Sequence, residues 1–223
     1  MGSVIGDVLP LAVGVAISPM PIIAVILMLL APRAGAASAG FMAGWVAGIV
    51  VTATVVTIIA DTAGLSTSGG GSTAGGVIKI VLGAVIVLVG VKQWRGRPHA
   101  DSQPALPKWL TAVDSITPAK ATGLGLALVA VNPKNLVLIV GAGVIIGSAG
   151  LPAGQVVVTI AVFTIIAALS VAAPVVGYRL GQAKARVWLG SLKTWLTANN
   201  AAVMMTLFFV VGVVLIGKGI GSL

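Results

Sequence analysis

A chain of 223 residues that is 58% hydrophobic and only 8% charged, with a mean hydropathy of +1.17 and 30 glycines, is an integral membrane protein of the helical kind, with no room for a separate soluble domain. The absence of cysteine excludes disulfides, thiolate metal sites and thiol redox chemistry. Thirteen Lys and Arg stand against four acidic residues, giving a formal charge of +9 that concerns topology and anionic lipid, with nucleic acid not an expected partner.

Six apolar runs reach the roughly 20 residues needed to cross hydrocarbon. They lie at about 4–31, 36–60, 75–94, 120–147, 152–177 and 198–220. The first lacks a basic leading region and is too long for a signal segment, so it predicts a retained helix. Midway along it stands Ser18-Pro19-Met20-Pro21. A short connection with Arg33 leads to span two, which ends at Asp61, and the Gly/Ser/Thr-rich segment 62–76 reads as a flexible external connection. After span three, the connection from Arg95 to Thr117 carries Arg95, Arg97 and Lys108, with Lys120 at its exit. Span four is interrupted by Asn132-Pro133-Lys134-Asn135, and the next connection, 148–151, has no Lys or Arg. Between spans five and six come Arg179, Lys184, Arg186 and Lys193. The positive-inside rule makes both basic connections cytoplasmic and both termini external, with Lys79, just inside span three, as the dissenting residue.

Around those last cations, Trp188, Leu192, Trp195 and Leu196 recur at helical spacing beside Arg186 and Lys193. This predicts an interfacial amphipathic helix at about 185–196, either a membrane-surface anchor or a direct contact for a lipid substrate. The whole chain then divides into a three-helix repeat at 1–94, a basic cytoplasmic loop at 95–119 and a second three-helix repeat at 120–223. Three spans per half invert the second repeat relative to the first. Pro133 follows Pro19 by 114 residues, so the two breaks hold corresponding places. Paired interruptions of that kind point to a transporter's binding site.

The chemistry expected at the breaks follows from proline, which removes its own N–H and clashes with the carbonyl one turn earlier. Each tetrapeptide should therefore divide its span, and the half-helix after it presents an N-terminus with its positive dipole end. Two such ends facing each other near the midplane would favour an anion. Lys134 lies about 20 Å along span four at ~1.5 Å per residue, too deep to reach the cytoplasmic surface easily. Its counter-ion is a substrate phosphate, sulfate or carboxylate, or the amine is neutral, or it caps nearby carbonyls. Asn132, Asn135 and Ser18 either hydrogen-bond substrate or satisfy carbonyls freed by Pro133, Pro19 and Pro21. Asp61 and Asp7 are the acids a proton-coupled cycle would use, although a helix-end aspartate is more often a cap or surface charge. His99 is the single histidine, and no carboxylate pair, nucleophile elbow or phosphate-cradling loop occurs. An enzyme, a cofactor and metal transport are all disfavoured.

Two three-helix halves, with a proline break in span one and Asn-Pro-Lys in span four, resemble the lysine-exporter superfamily of small transporters. Within it, Asn132-Pro133-Lys134-Asn135, Pro107-Lys108-Trp109-Leu110 with Asp114, and the closing Gly212 to Ile220 stretch resemble the peptidoglycolipid-addressing, or sulfolipid-addressing, protein family. That family is associated mainly with actinobacteria. The resemblance implies a role in placing envelope glycolipids on the outer surface, by moving a lipid or a precursor across the inner membrane. The lack of cysteine separates this chain from the thiol-transferring branch of the superfamily, and the lack of intramembrane acids from its metal-exporting branches. Pro19-Met20-Pro21 replaces the Pro-Gly-Pro usual in its amino-acid exporters. The expected function is an inner-membrane exporter of a polar- or anionic-headed envelope lipid. The alternatives are an exporter of small soluble solutes, amino acids or organic anions, and a non-transporting scaffold for envelope-lipid synthases or exporters. Gly-containing faces allow a homodimer.

Overall fold

The computed structural model describes residues 1–31, 34–63, 73–95, 116–180, 182–221 and 223. Among them there is no strand, and eight helices follow in order: α1 (Gly2–Ala16), α2 (Pro19–Leu30), α3 (Ala34–Thr62), α4 (Thr73–Arg95), α5 (Pro118–Val131), α6 (Pro133–Gly147), α7 (Ala153–Leu180) and α8 (Gln182–Ile220). Several expectations lie outside the described residues: Arg33, the Gly/Ser segment, His99, and the loop carrying Arg97, Lys108, Asp101 and Asp114. The side chains of Arg179, Lys184, Arg186 and Lys193 also lie outside them.

Stretches of α3, α7 and α8 are each long and apolar enough to cross a membrane, and each bent pair, α1 with α2 and α5 with α6, passes as one further span. Both pairs divide where the proline tetrapeptides predict, by 48° at Ser18 and by 73° at Asn132. The apolar surface expected of spanning helices is present: Ile58, Ile59, Val131, Ile165 and Val176 are all exposed. In hydrocarbon that exposure carries no hydrophobic cost, so cohesion has to come from close packing.

Two glycine seams supply it. Gly40, Gly44 and Gly48, spaced by four, let α3 lie directly on α5. A β-carbon at Gly40 would stand 2.5 Å from the Pro118 carbonyl oxygen, and one at Gly125 would stand 2.8 Å from the Trp45 amide nitrogen. The contacts advance together, Gly40 at Pro118, Gly48 at Val129 and then Ala53 at Gly143, so α3 runs parallel to α5 and α6. Thr57 reinforces this seam by donating to the Gly143 carbonyl at 3.3 Å.

The second seam has a spacing of seven. Gly83 meets Gly212, each with a β-carbon position within 2.7 Å of the other's carbonyl oxygen, while Gly76 meets Gly219 and Gly90 meets Phe208. Because one index rises as the other falls, α4 and α8 are antiparallel, and the seven-residue period is that of coiled helices in close contact. Between the seams, Phe41, Trp45, Phe163, Ile139 and Leu11 fill the centre with no exposed surface, and Phe41 stacks on Trp45 with ring centroids 6.5 Å apart.

Residues 185–196 and the sixth span are a single helix, α8, of 39 residues. At ~1.5 Å per residue it extends about 58 Å, beyond the ~40–45 Å of a whole bilayer. No proline or glycine interrupts Trp195 to Ala202, and Asn199 hands its side-chain N–H to the Trp195 carbonyl at 2.9 Å, so the helix continues where a break was expected. Leu189 turns inward at 1% exposure while Trp188 and Trp195 face outward, away from the bundle.

Candidate functional site

The second break is built by Asn132. It ends α5 and caps α6 with an extended backbone, φ −81° and ψ 102°. Its side-chain Oδ1 accepts from the Lys134 N–H at 3.2 Å, and its carbonyl accepts from the Leu136 N–H at 2.9 Å. With Pro133 carrying no N–H at all, most donors at the start of α6 are already accounted for. The expectation of a helix start rich in free N–H groups is therefore too generous here. The same is true of α2, where Pro19 and Pro21 remove two of the first three N–H groups. Any anion held at this level owes more to side chains and to the residual dipole than to an open ring of amides.

Those side chains are present. Lys134 is half-buried, and no carboxylate among the described residues pairs with it. Asn135 has 0% exposure, and neither its Nδ2 nor its Oδ1 has a partner among the described residues. A buried amide without partners costs about 1–3 kcal/mol, which a protein retains when something else completes the hydrogen bonds. Sequence reasoning left open whether Asn132 and Asn135 serve substrate or backbone, and the structure separates them. Asn132 serves the backbone, and Asn135 has no such duty.

The first break is plainer. Ser18 is 1% exposed, has an extended backbone and makes no side-chain capping bond. Apart from Met20, half-buried, its neighbours Pro19 and Pro21 through Leu29 are almost all buried hydrophobics. The two breaks nonetheless share a level. Gly14 packs on Leu138 and Leu11 on Gly141, an antiparallel register between α1 and α6 that brings the end of α1 toward the start of α6.

A second polar cluster was not foreseen as such. Asp7, 8% exposed, is gripped by Lys79 at 2.9 Å and by Lys218 at 3.0 Å. Lys218 also donates to the Gly6 carbonyl at 2.8 Å. That carbonyl lies four residues before Pro10, whose missing N–H would otherwise have served it, so the lysine closes a gap the proline opens. The signal was available: Asp7, Lys79 and Lys218 all fall at predicted external span ends, and the dissenting position of Lys79 is explained by its aspartate. Asp61 stands exposed at the end of α3, far along the chain from this cluster. Trp188 and Trp195 are exposed together on α8, 60% and 55%. No group of His, Cys, Asp or Glu among the described residues has the geometry to hold a metal ion.

A family model described as Sap, sulfolipid-1-addressing protein, matches residues 8–221. No curated protein and no solved structure matches the chain.

Proposed function

Because this chain belongs to the sulfolipid-1-addressing protein family, we propose that it exports a polar- or anionic-headed envelope lipid, or its lipid-linked precursor, across the inner membrane, and does so without covalent chemistry. The observation that carries the reading is the pairing of the half-buried Lys134 with the fully buried, unpartnered amide of Asn135, opposite the break at Ser18. A cation and an amide of that kind complement the oxyanions and hydroxyls of a lipid head group. Lys134 neutralises the head group, Asn135 orients it, and Ser18 offers a hydroxyl from the facing side.

The helix directions support six spans in two inverted halves within the lysine-exporter superfamily. Helix α4, with 23 residues, supplies the sixth span. The parallel course of α3 with α5–α6, the antiparallel pair α4–α8, and the meeting of Asp7, Lys79 and Lys218 at one end agree with alternating directions and external termini. Movement of one half against the other about the two breaks would expose the head-group site to each side in turn.

Native mass spectrometry of the detergent-extracted protein beside its Lys134→Met variant tests this reading. An anionic envelope lipid retained by the wild type and lost in the variant is expected. Identical, nonspecific phospholipid in both would overturn it and leave soluble-solute export or a scaffold role.

A further inference from the structure

The reading above makes no use of an opening on the flank of the bundle. Between α1 and α8 lies a cleft of about 790 Å³, walled from Leu9 to Ile17 on one side and from Trp195 to Val211 on the other. On the α8 side the wall covers seventeen residues, sixteen steps of ~1.5 Å or about 24 Å, well over half of a ~30 Å hydrocarbon core, and on the α1 side about 12 Å. No charged side chain lines it. The amide of Asn199 in its wall is engaged with the Trp195 carbonyl, so the surface offered is mainly methyl and isopropyl groups such as those of Val13, Ala202 and Val210. One end is marked by the exposed ring of Trp195. On α1 the wall stops at Ile17, the residue before Ser18, so the cleft is continuous with the level at which the two breaks face each other.

We propose that this cleft seats a single long acyl chain of the exported lipid, with the polar head at the breaks and the tail along α1 and α8. The proposal rests on the export reading and deepens it by assigning the tail. Three features favour this occupant. The absence of charge matches a hydrocarbon and rejects a free anion. The length exceeds one leaflet, unlike the contact made by a boundary lipid that stops at the midplane. The twelve lining residues are by themselves fewer than the roughly 20–30 per side of a stable protein interface, so the cleft alone suits an acyl chain better than a second copy.

The test uses delipidated full-length protein titrated with long-chain lysophosphatidylglycerol, its short-chain counterpart and the deacylated head group, with bound ligand counted by native mass spectrometry. Ala202 and Thr206 are exposed, so Ala202→Trp with Thr206→Trp fills the cleft without disturbing the core, and Ile59→Trp, on an exposed face of α3, is the control. We expect one tightly held long-chain lipid, weaker retention of the short chain, none of the head group alone, and at least a tenfold loss of affinity in the filled variant but not in the control. Equal retention by the filled variant would overturn the proposal, as would a wild-type dimer that the filling abolishes. In the Lys134→Met variant lipid retention falls with the lost head-group contact, but whatever binding is left at higher ligand concentration still prefers the long chain to the short one if the tail site stands. Loss of retention with that chain preference intact therefore concerns the head-group site, whereas loss of the chain preference in the filled variant alone concerns the cleft.

Discussion

The two proline breaks, 114 residues apart, each bend a long apolar segment, yet they are furnished differently. At Ser18 the chain bends 48° among buried aliphatic side chains, and the only polar group is a hydroxyl that caps nothing. At Asn132 it bends 73°, and within four residues come a capping amide, a half-buried ammonium and a buried amide without partners. Proline favours the bend they share, because it removes a helix hydrogen bond and crowds the preceding turn, although α1 and α7 continue through Pro10 and Pro174. It cannot account for the difference. On the export reading proposed above, the two breaks would provide the mechanical joint and the side chains of one of them the chemistry.

The largest effect should come from removing that asymmetry. Lys134→Met is expected to lower surface-extractable envelope lipid by ten- to a hundredfold in a host without its own copy, in line with the roughly 1.5–3 kcal/mol of a charge-assisted hydrogen bond, while the melting temperature holds. Adding Met20→Lys, the matching place in the first break, should not restore export. Restoration would mean that the two breaks are interchangeable.

Asp7→Asn leaves Lys79 and Lys218 facing each other without their anion, and should cost about 2–3 kcal/mol in a reversible unfolding assay. This is below the range for fully buried pairs because Lys218 is 38% exposed. A further Lys79→Met should recover part of the loss. No change in stability would show that the cluster does not join α1 to α4 and α8.

Asn135→Leu sets stability against function. With its unpartnered amide removed, the protein should become about 1–2 kcal/mol more stable while retaining less lipid. A fall in both would mark the amide as structural and erase its distinction from Asn132. Ser18→Ala should have the smallest consequence, under about 0.5 kcal/mol and less than twofold in export, since no capping bond is lost. An export defect comparable to that of Lys134→Met would make the first break an equal partner at the head-group site.

The sequence by itself determined the class, the positions of both breaks and the identity of Lys134 as the exceptional cation. Hydropathy and proline act locally, and no distant contact is needed to read them. It also determined the two glycine spacings, of four along α3 and of seven along α4 and α8, but not which helix each would meet. Tertiary structure decided the rest. The grip of Lys79 and Lys218 on Asp7 joins residues from the two ends of the chain, and its signal was a coincidence of depth rather than a motif. The continuity of α8 from Gln182 to Ile220 likewise emerged only in the folded chain. Asn132 and Asn135 are the same residue type three positions apart. Asn132 finds its backbone N–H locally, two residues on, as the cap of α6, whereas only the packing of α6 against its neighbours left Asn135 buried without a partner among the described residues.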